Sequence, residues 1–284
     1  VSGREAHNHV FAMTAGVIPL AGLAGNLVGG WLPEFCASLL GVSLDSPLPY
    51  RYPLLLAAVL LWPGVFLVLF TRPAVVDRQE VSTDFRGRAP YALILLLGLI
   101  ILLQRTGDGT ARTFFNIYLD VDLHASTALI GSLSAAGQLL AVLASLLTPL
   151  LTGRWGLERL IVLSALGTGF SLLLMALIPN WSGAGVGYVG VTGLVAIIIP
   201  AFTVFNQEIV QPQWRTAVSG AATMAIGLSW SGMALAGGRI VTALGYRGLF
   251  AVGAGLTTAG ALLFWICFCR PRAALAHYRG EVSL

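Results

Sequence analysis

Arg105, Asp108, Arg112 and Asn116 follow one another at spacings of three, four and four inside a stretch that is otherwise apolar or small, Leu103-Gln104-Arg105-Thr106-Gly107-Asp108-Gly109-Thr110-Ala111-Arg112. At about 100° per residue these positions share one helical stripe less than a quarter turn wide. One carboxylate between two guanidiniums pairs along the helix in either direction and leaves a site charge near +1. Two kinds of chemistry suit that pattern in a membrane segment: a cavity wall that attracts an anionic or polar solute, or a carboxylate that exchanges a proton during transport. The competing reading is a structural or gating pair in which Asp108 stays ionised between its arginines. Gly107 and Gly109 flank the carboxylate; they either break the helix to form a site or let a neighbouring helix approach, and the residues alone leave both open.

The apolar run that leads into this stretch, Tyr91 to Leu102, is too short to cross ~30 Å of hydrocarbon, which takes about 20 residues. The helix therefore carries its ionisable residues into the membrane, where each costs several kcal/mol and marks a functional site by default. The whole chain fits that setting. Of its 284 residues, 57% are hydrophobic and 10% charged, against roughly 25% charged in soluble domains. Strand-like alternation is absent, which excludes a β-barrel and leaves an all-α bundle of membrane helices.

Eight apolar spans are predicted, at about Val10–Trp31, Pro53–Phe70, Pro90–Leu119, Thr127–Leu151, Leu160–Ile178, Gly183–Phe205, Ala217–Leu244 and Gly248–Cys269. Short polar turns join most of them. The longer connections are Pro33–Tyr52 and Thr71–Ala89, the second rich in arginine and acid and read as a linker between two bundles. With this numbering Arg4, Arg72, Arg78, Arg86, Arg88, Arg154, Arg159, Arg215, Arg270, Arg272 and Arg279 fall on one side, and only Arg51 and Arg247 lie in loops on the other. The bias places both ends of the chain and the linker in the cytoplasm.

An internal repeat gives the larger plan. Tyr50-Arg51 and Phe70-Thr71-Arg72-Pro73 bracket the second span as Tyr246-Arg247 and Phe268-Cys269-Arg270-Pro271 bracket the eighth. Arg4, Met13 and Gly16 recur as Arg215, Met224 and Gly227 at a constant offset, and Gly29-Gly30 recurs as Gly237-Gly238 with a short slip. The first two spans thus repeat the last two with four spans between, so the unit is six helices and four more are expected before Val1. Residues 1–71 then close a first bundle, 72–89 link, 90–270 form a second bundle, and 271–284 make a cytoplasmic tail.

Six plus six helices joined by a charged cytoplasmic loop resemble the major facilitator superfamily of secondary transporters, with this chain as helices five to twelve. Gly25-Asn26-Leu27-Val28-Gly29-Gly30 resembles the superfamily's fifth-helix Gly-Pro-x-x-Gly-Gly signature of proton antiporters, with Asn26 in place of proline. Gly153-Arg154-Trp155-Gly156-Leu157-Glu158-Arg159 resembles its Asp-Arg-x-Gly-Arg cytoplasmic loop, matched at Arg154 and Gly156. Thr113-Phe114-Phe115-Asn116-Ile117-Tyr118-Leu119 and Glu208…Arg215…Gly220 are similar to bacterial members. The resemblance implies alternating access in a bacterial inner membrane, proton coupling with export slightly favoured, and a stripe on helix seven that lines the cavity. A non-transporting membrane sensor or scaffold of the same fold is the alternative.

Further residues fill out this expectation. Asn206, near the cytoplasmic end of the sixth span, joins the substrate or ion pathway, and Glu208 with Arg215 forms either a cytoplasmic latch or a solvated helix end. Arg239 snorkels or pairs with a carboxylate elsewhere, and Gln138 serves an interhelical hydrogen bond. Gly22, Gly25 and Gly29 make one small-residue stripe and Gly131, Ala135 and Gln138 another; the resemblance implies that helices five and eight meet there. No enzyme motif, nucleotide loop or zinc spacing occurs. Neither the three cysteines nor His7 and His9 form a metal site, so no metal and no cofactor is expected. The expected partners are a small solute, protons and membrane lipid, with no nucleic acid, and the expected state is a monomer.

Overall fold

A computed structural model describes residues 2–43, 46–70 and 90–269, with side-chain surroundings from residue 21 onward. The linker 71–89 and the tail 271–284, like the side chains of His7 and His9, lie outside the described residues. Every long element described is a helix: α1 Ser2–Leu40, α2 Leu48–Phe70, α3 Tyr91–Ile117, α4 Thr127–Trp155, α5 Leu157–Leu177, α6 Trp181–Glu208 and α7 Arg215–Phe264. Helices satisfy every backbone group within one segment, which lipid requires.

Six segments among the described residues are long and apolar enough to cross a membrane, the last being Pro212–Cys269. That segment covers both the seventh and the eighth expected spans. Gly245, at φ 70° and ψ 177°, interrupts α7 in a backbone region that is essentially glycine-only. The chain reverses there. A Cβ placed on Gly237 would stand 3.4 Å from Leu249 Cδ1, whereas twelve residues of straight helix would separate them by ~18 Å. Residues 215–244 and 246–264 are thus two limbs of a helical hairpin. The first expected span lies inside α1, which extends on to Leu40 through the Pro33 segment expected to be loop.

Helix α3 is held between the two limbs of α7. Gly109 lies against Trp230 of the first limb; Gly253 lies against Thr110 and Gly260 against Leu103 and Gln104 from the second. α5 and α6 complete the surround. Arg247 Nε donates to the Ala176 carbonyl at 2.8 Å, placing a cation where the last carbonyls of α5 have no helical partner. Ser126 and Asn180 accept from Leu129 N and Gly183 N and so cap α4 and α6.

The buried interior is divided along the helix axes. One apolar cluster joins Leu93, Leu97 and Ile101 of α3 with Phe202, Phe205 and Phe264. A second joins Phe114, Phe115 and Tyr118 of α3 with Leu172, Tyr188 and Phe250. Between them α3, α5 and both limbs of α7 carry buried polar residues: Gln104, Arg105, Thr106, Asp108 and Thr110 on α3, Ser164 and Thr168 on α5, Ser229 and Thr257 on α7. Within this belt Arg105 and Asp108 sit 14–17 residues from either end of the Tyr91–Asp122 segment, or roughly 20–25 Å along it at 1.5 Å per residue.

Candidate functional site at mid-depth

The stripe runs through the belt and out of it. Arg105 is 6% exposed and Asp108 2%, whereas the Arg112 side chain is 36% exposed and Asn116 is exposed. Arg112 Nε lies 2.7 Å from Asp108 Oδ1, a charge-assisted contact at the favourable i, i+4 spacing. Asp108 does not bridge both arginines. Arg105, on its other side, makes no hydrogen bond or ion pair among the described residues and interacts with Asp108 only through space. The i, i+4 partner lies directly along the stripe, and one short guanidinium contact takes up that face of the carboxylate.

Neighbouring helices frame the outer half. The Arg112 guanidinium carbon stands 5.8 Å from the centroid of Trp230 on the first limb of α7, within cation–π range. Trp230 is itself 40% exposed. On the other side the Ser134 hydroxyl of α4 donates to Asn116 Oδ1 at 3.4 Å, and Tyr188 of α6 stacks on Phe115 at 3.9 Å and 9°. α4, α6 and α7 thus each contribute a side chain next to the stripe of α3. Trp230, Ser134 and Tyr188 escaped the sequence reading. Trp230 carried a usable signal, a lone indole within the small-residue run Gly227-Leu228-Ser229-Trp230-Ser231-Gly232.

The helix is not broken at Asp108. α3 is continuous from Tyr91 to Ile117, and a Cβ on Gly107 would collide with Thr257 and Leu172, one on Gly109 with Trp230 Cδ1 at 2.9 Å. Both glycines are close-approach residues that let α5 and the two limbs of α7 reach the level of the carboxylate. Three belt hydroxyls are satisfied within their own helices: Thr106 donates to the Leu102 carbonyl at 2.9 Å, Thr110 to the Thr106 carbonyl at 2.7 Å and Thr168 to the Ser164 carbonyl at 2.8 Å. Ser229 lies 3.2 Å from Thr106 Oγ1.

The other expected residues lie apart from the stripe. Asn206 is buried with its Oδ1 unpartnered, at the end of α6 beside Phe205 of the first apolar cluster. Glu208 and Arg215 are both exposed and do not pair in this conformation; Arg215 Nε donates instead to the Gln207 carbonyl at 2.9 Å. That bond closes the turn between α6 and α7 through backbone. Arg154 is exposed at the end of α4, and Gly156, at φ 80°, makes the turn into α5. Among the described residues no group of three or more His, Cys, Asp or Glu is placed to hold a metal ion.

The model of the Major Facilitator Superfamily matches residues 95–282, which include the stripe, the belt and both limbs of α7. The chain belongs to the Major Facilitator Superfamily. Superfamily members are multi-pass membrane proteins that move small solutes, and the superfamily is one of transporters rather than enzymes. No curated protein sequence matches the chain. α1 packs on α4 through small residues. Gly22 and Gly131 take part as expected, whereas Gly25 and Gly29 do not. Gly25 and Gly29 have nothing within 4 Å, while a Cβ on Gly30 would stand 2.7 Å from Gly131 Cα and one on Gly131 2.6 Å from the Asn26 carbonyl. Gly22 lies against the Gln138 side chain at 3.4 Å. The seam therefore follows Gly22, Asn26 and Gly30 at spacing four, the ridge that lies along a crossing helix, with Gly131 as expected on the partner. Further along, Thr127 Oγ1 approaches Glu34 Oε1 at 3.5 Å.

Proposed function

We propose that this chain performs secondary active transport of a small solute by alternating access, with the proton as coupling ion and export as the favoured direction. The observation that carries the reading is the Asp108–Arg112 pair with Arg105 beside it, at mid-depth between two apolar clusters, on a stripe that becomes exposed toward Arg112 and Asn116. Charges are costly there, and a stripe that leads from the belt to an open face gives a polar solute a path past them.

In this reading residues 90–270 form one six-helix bundle and residues 1–71 belong to its partner. The two bundles rock about the Gly30–Gly131 seam, and the expected helices one to four supply the facing wall of the cavity. Asn206, Glu208, Arg154, Gly156 and Arg215 serve the pathway and cytoplasmic gate. The arrangement suits a monomer in a bacterial inner membrane. Arg154, Arg159 and Arg215 sit at the helix ends assigned to the cytoplasm and Arg247 at the opposite ends.

Gradient-driven flux tests it. The full-length protein in sealed vesicles with an imposed pH difference is expected to move at least one solute of a mixed anionic, neutral and cationic panel. A protonophore is expected to stop the movement. Ligand binding that persists while no solute moves under any gradient would leave a sensor or scaffold.

A further inference from the structure

The polar belt holds one charge that no described residue neutralises by contact. Arg105 is 6% exposed, yet its guanidinium has no hydrogen-bond or ion-pair partner among the described residues. Its neighbour Asp108 is held by Arg112 at 2.7 Å. The hydroxyls of Thr106, Thr110 and Thr168 at the same depth donate to carbonyls of their own helices. A full positive charge on a side chain only 6% exposed thus has no contact acceptor among the described residues, a state with a severe desolvation penalty unless something supplies the counter-charge.

We infer that Arg105 is the anchor for an organic monoanion, whose carboxylate or sulfonate group seats on its guanidinium and whose apolar body extends along the stripe toward the exposed face of Trp230. Charge selects the valence. Arg105, Asp108 and Arg112 sum to +1, so a monoanion brings the belt to neutrality, whereas a cation raises it to +2. The planar fork of arginine matches such a group bidentately. The indole, 40% exposed beside Arg112, offers the apolar surface next in line. The inference rests on the transport reading for the stripe as a pathway. An anionic lipid headgroup carries the same chemistry, so the test separates the two sources.

The experiment is equilibrium binding of radiolabelled benzenesulfonate, an aromatic monoanion charged at all working pH values, to the full-length protein in phosphatidylcholine nanodiscs. Saturable binding is expected, displaced by benzoate and not by the same concentration of benzylammonium. Arg105→Gln is expected to weaken it at least tenfold, with Arg105→Lys, which keeps the charge and loses the fork, in between. Displacement by benzylammonium as effective as by benzoate, or wild-type binding in Arg105→Gln, overturns the assignment. Should Arg105→Gln fail to fold, the anion-over-cation selectivity of the wild type decides. Binding that survives in phosphatidylglycerol nanodiscs supports a solute, whereas its loss there identifies the lipid headgroup as occupant and overturns the solute. Flux of a neutral or cationic panel solute that Arg105→Gln leaves unchanged sinks this inference and spares the transport reading. Arg105-dependent binding without any flux does the reverse.

Discussion

Asp108→Asn is expected to reduce transport to the background of empty vesicles and to destabilise the protein by about 1–3 kcal/mol, less than for a fully buried pair because Arg112 is 36% exposed, while leaving membrane insertion intact. The substitution keeps the shape of the side chain and removes its charge. Arg112 then loses a 2.7 Å contact, and two arginines on one stripe lose the carboxylate between them. Breaking one side of a buried pair leaves an uncompensated charge, which costs far more than the pair itself contributes. The double variant Asp108→Asn/Arg112→Gln removes one of the stranded charges, so it is expected to recover much of the stability and none of the transport. A melting curve and a flux assay on the three proteins check this. Wild-type flux in Asp108→Asn would reduce the pair to a structural role; additive losses in the double variant would show that the two side chains are not coupled.

Gly131→Leu is the second large effect. Its Cβ would lie 2.6 Å from the Asn26 carbonyl and 2.7 Å from Gly30 Cα, so both walls are backbone and neither can rotate away. Overpacking typically costs about 1–3 kcal/mol where side chains can yield, and this seam offers none that can. The expected result is a melting temperature well below wild type and flux slowed at least tenfold, since α1 and α4 can no longer close together. Gly238→Leu is the control, because Gly238 has nothing within 4 Å and leucine favours helix over glycine by roughly 0.8 kcal/mol. Equal losses in the two variants would mean that the seam is not a close contact in the membrane.

The features written in the sequence were those set by period and composition. The Arg105–Asn116 stripe lies on one helix because i, i+3 and i+4 spacing is a local property; the small-residue stripes were legible too, but that the first and fourth spans meet along them was an expectation from the family resemblance. Features that depend on which atoms meet were not legible. Whether Asp108 pairs with Arg105 or Arg112 depends on side-chain direction along the helix. The two glycines beside it read equally as a break or a close approach until Thr257, Leu172 and Trp230 were seen against them. Along α1 the eye follows the repeated Gly25 and Gly29, but the crossing angle selects the ridge one position over, through Asn26 and Gly30. Pro33 suggested a loop, yet the helix passes through it to Leu40, carried by the apolar residues Phe35, Ala37, Leu39 and Leu40. The polar belt is a layer across α3, α5 and the two limbs of α7, and no single stretch displays it.

The central claim is that the stripe lines a path open alternately to the two sides of the membrane, and accessibility at Asn116 tests it most directly. Asn116 is exposed, and its side chain accepts one long hydrogen bond, from the Ser134 hydroxyl at 3.4 Å, so Asn116→Cys in a background free of Cys36, Cys267 and Cys269 disturbs little. A membrane-impermeant maleimide applied to right-side-out and to inside-out vesicles is predicted to label this cysteine from both faces. Labelling from one face alone, under every gradient applied, would contradict alternating access at this stripe.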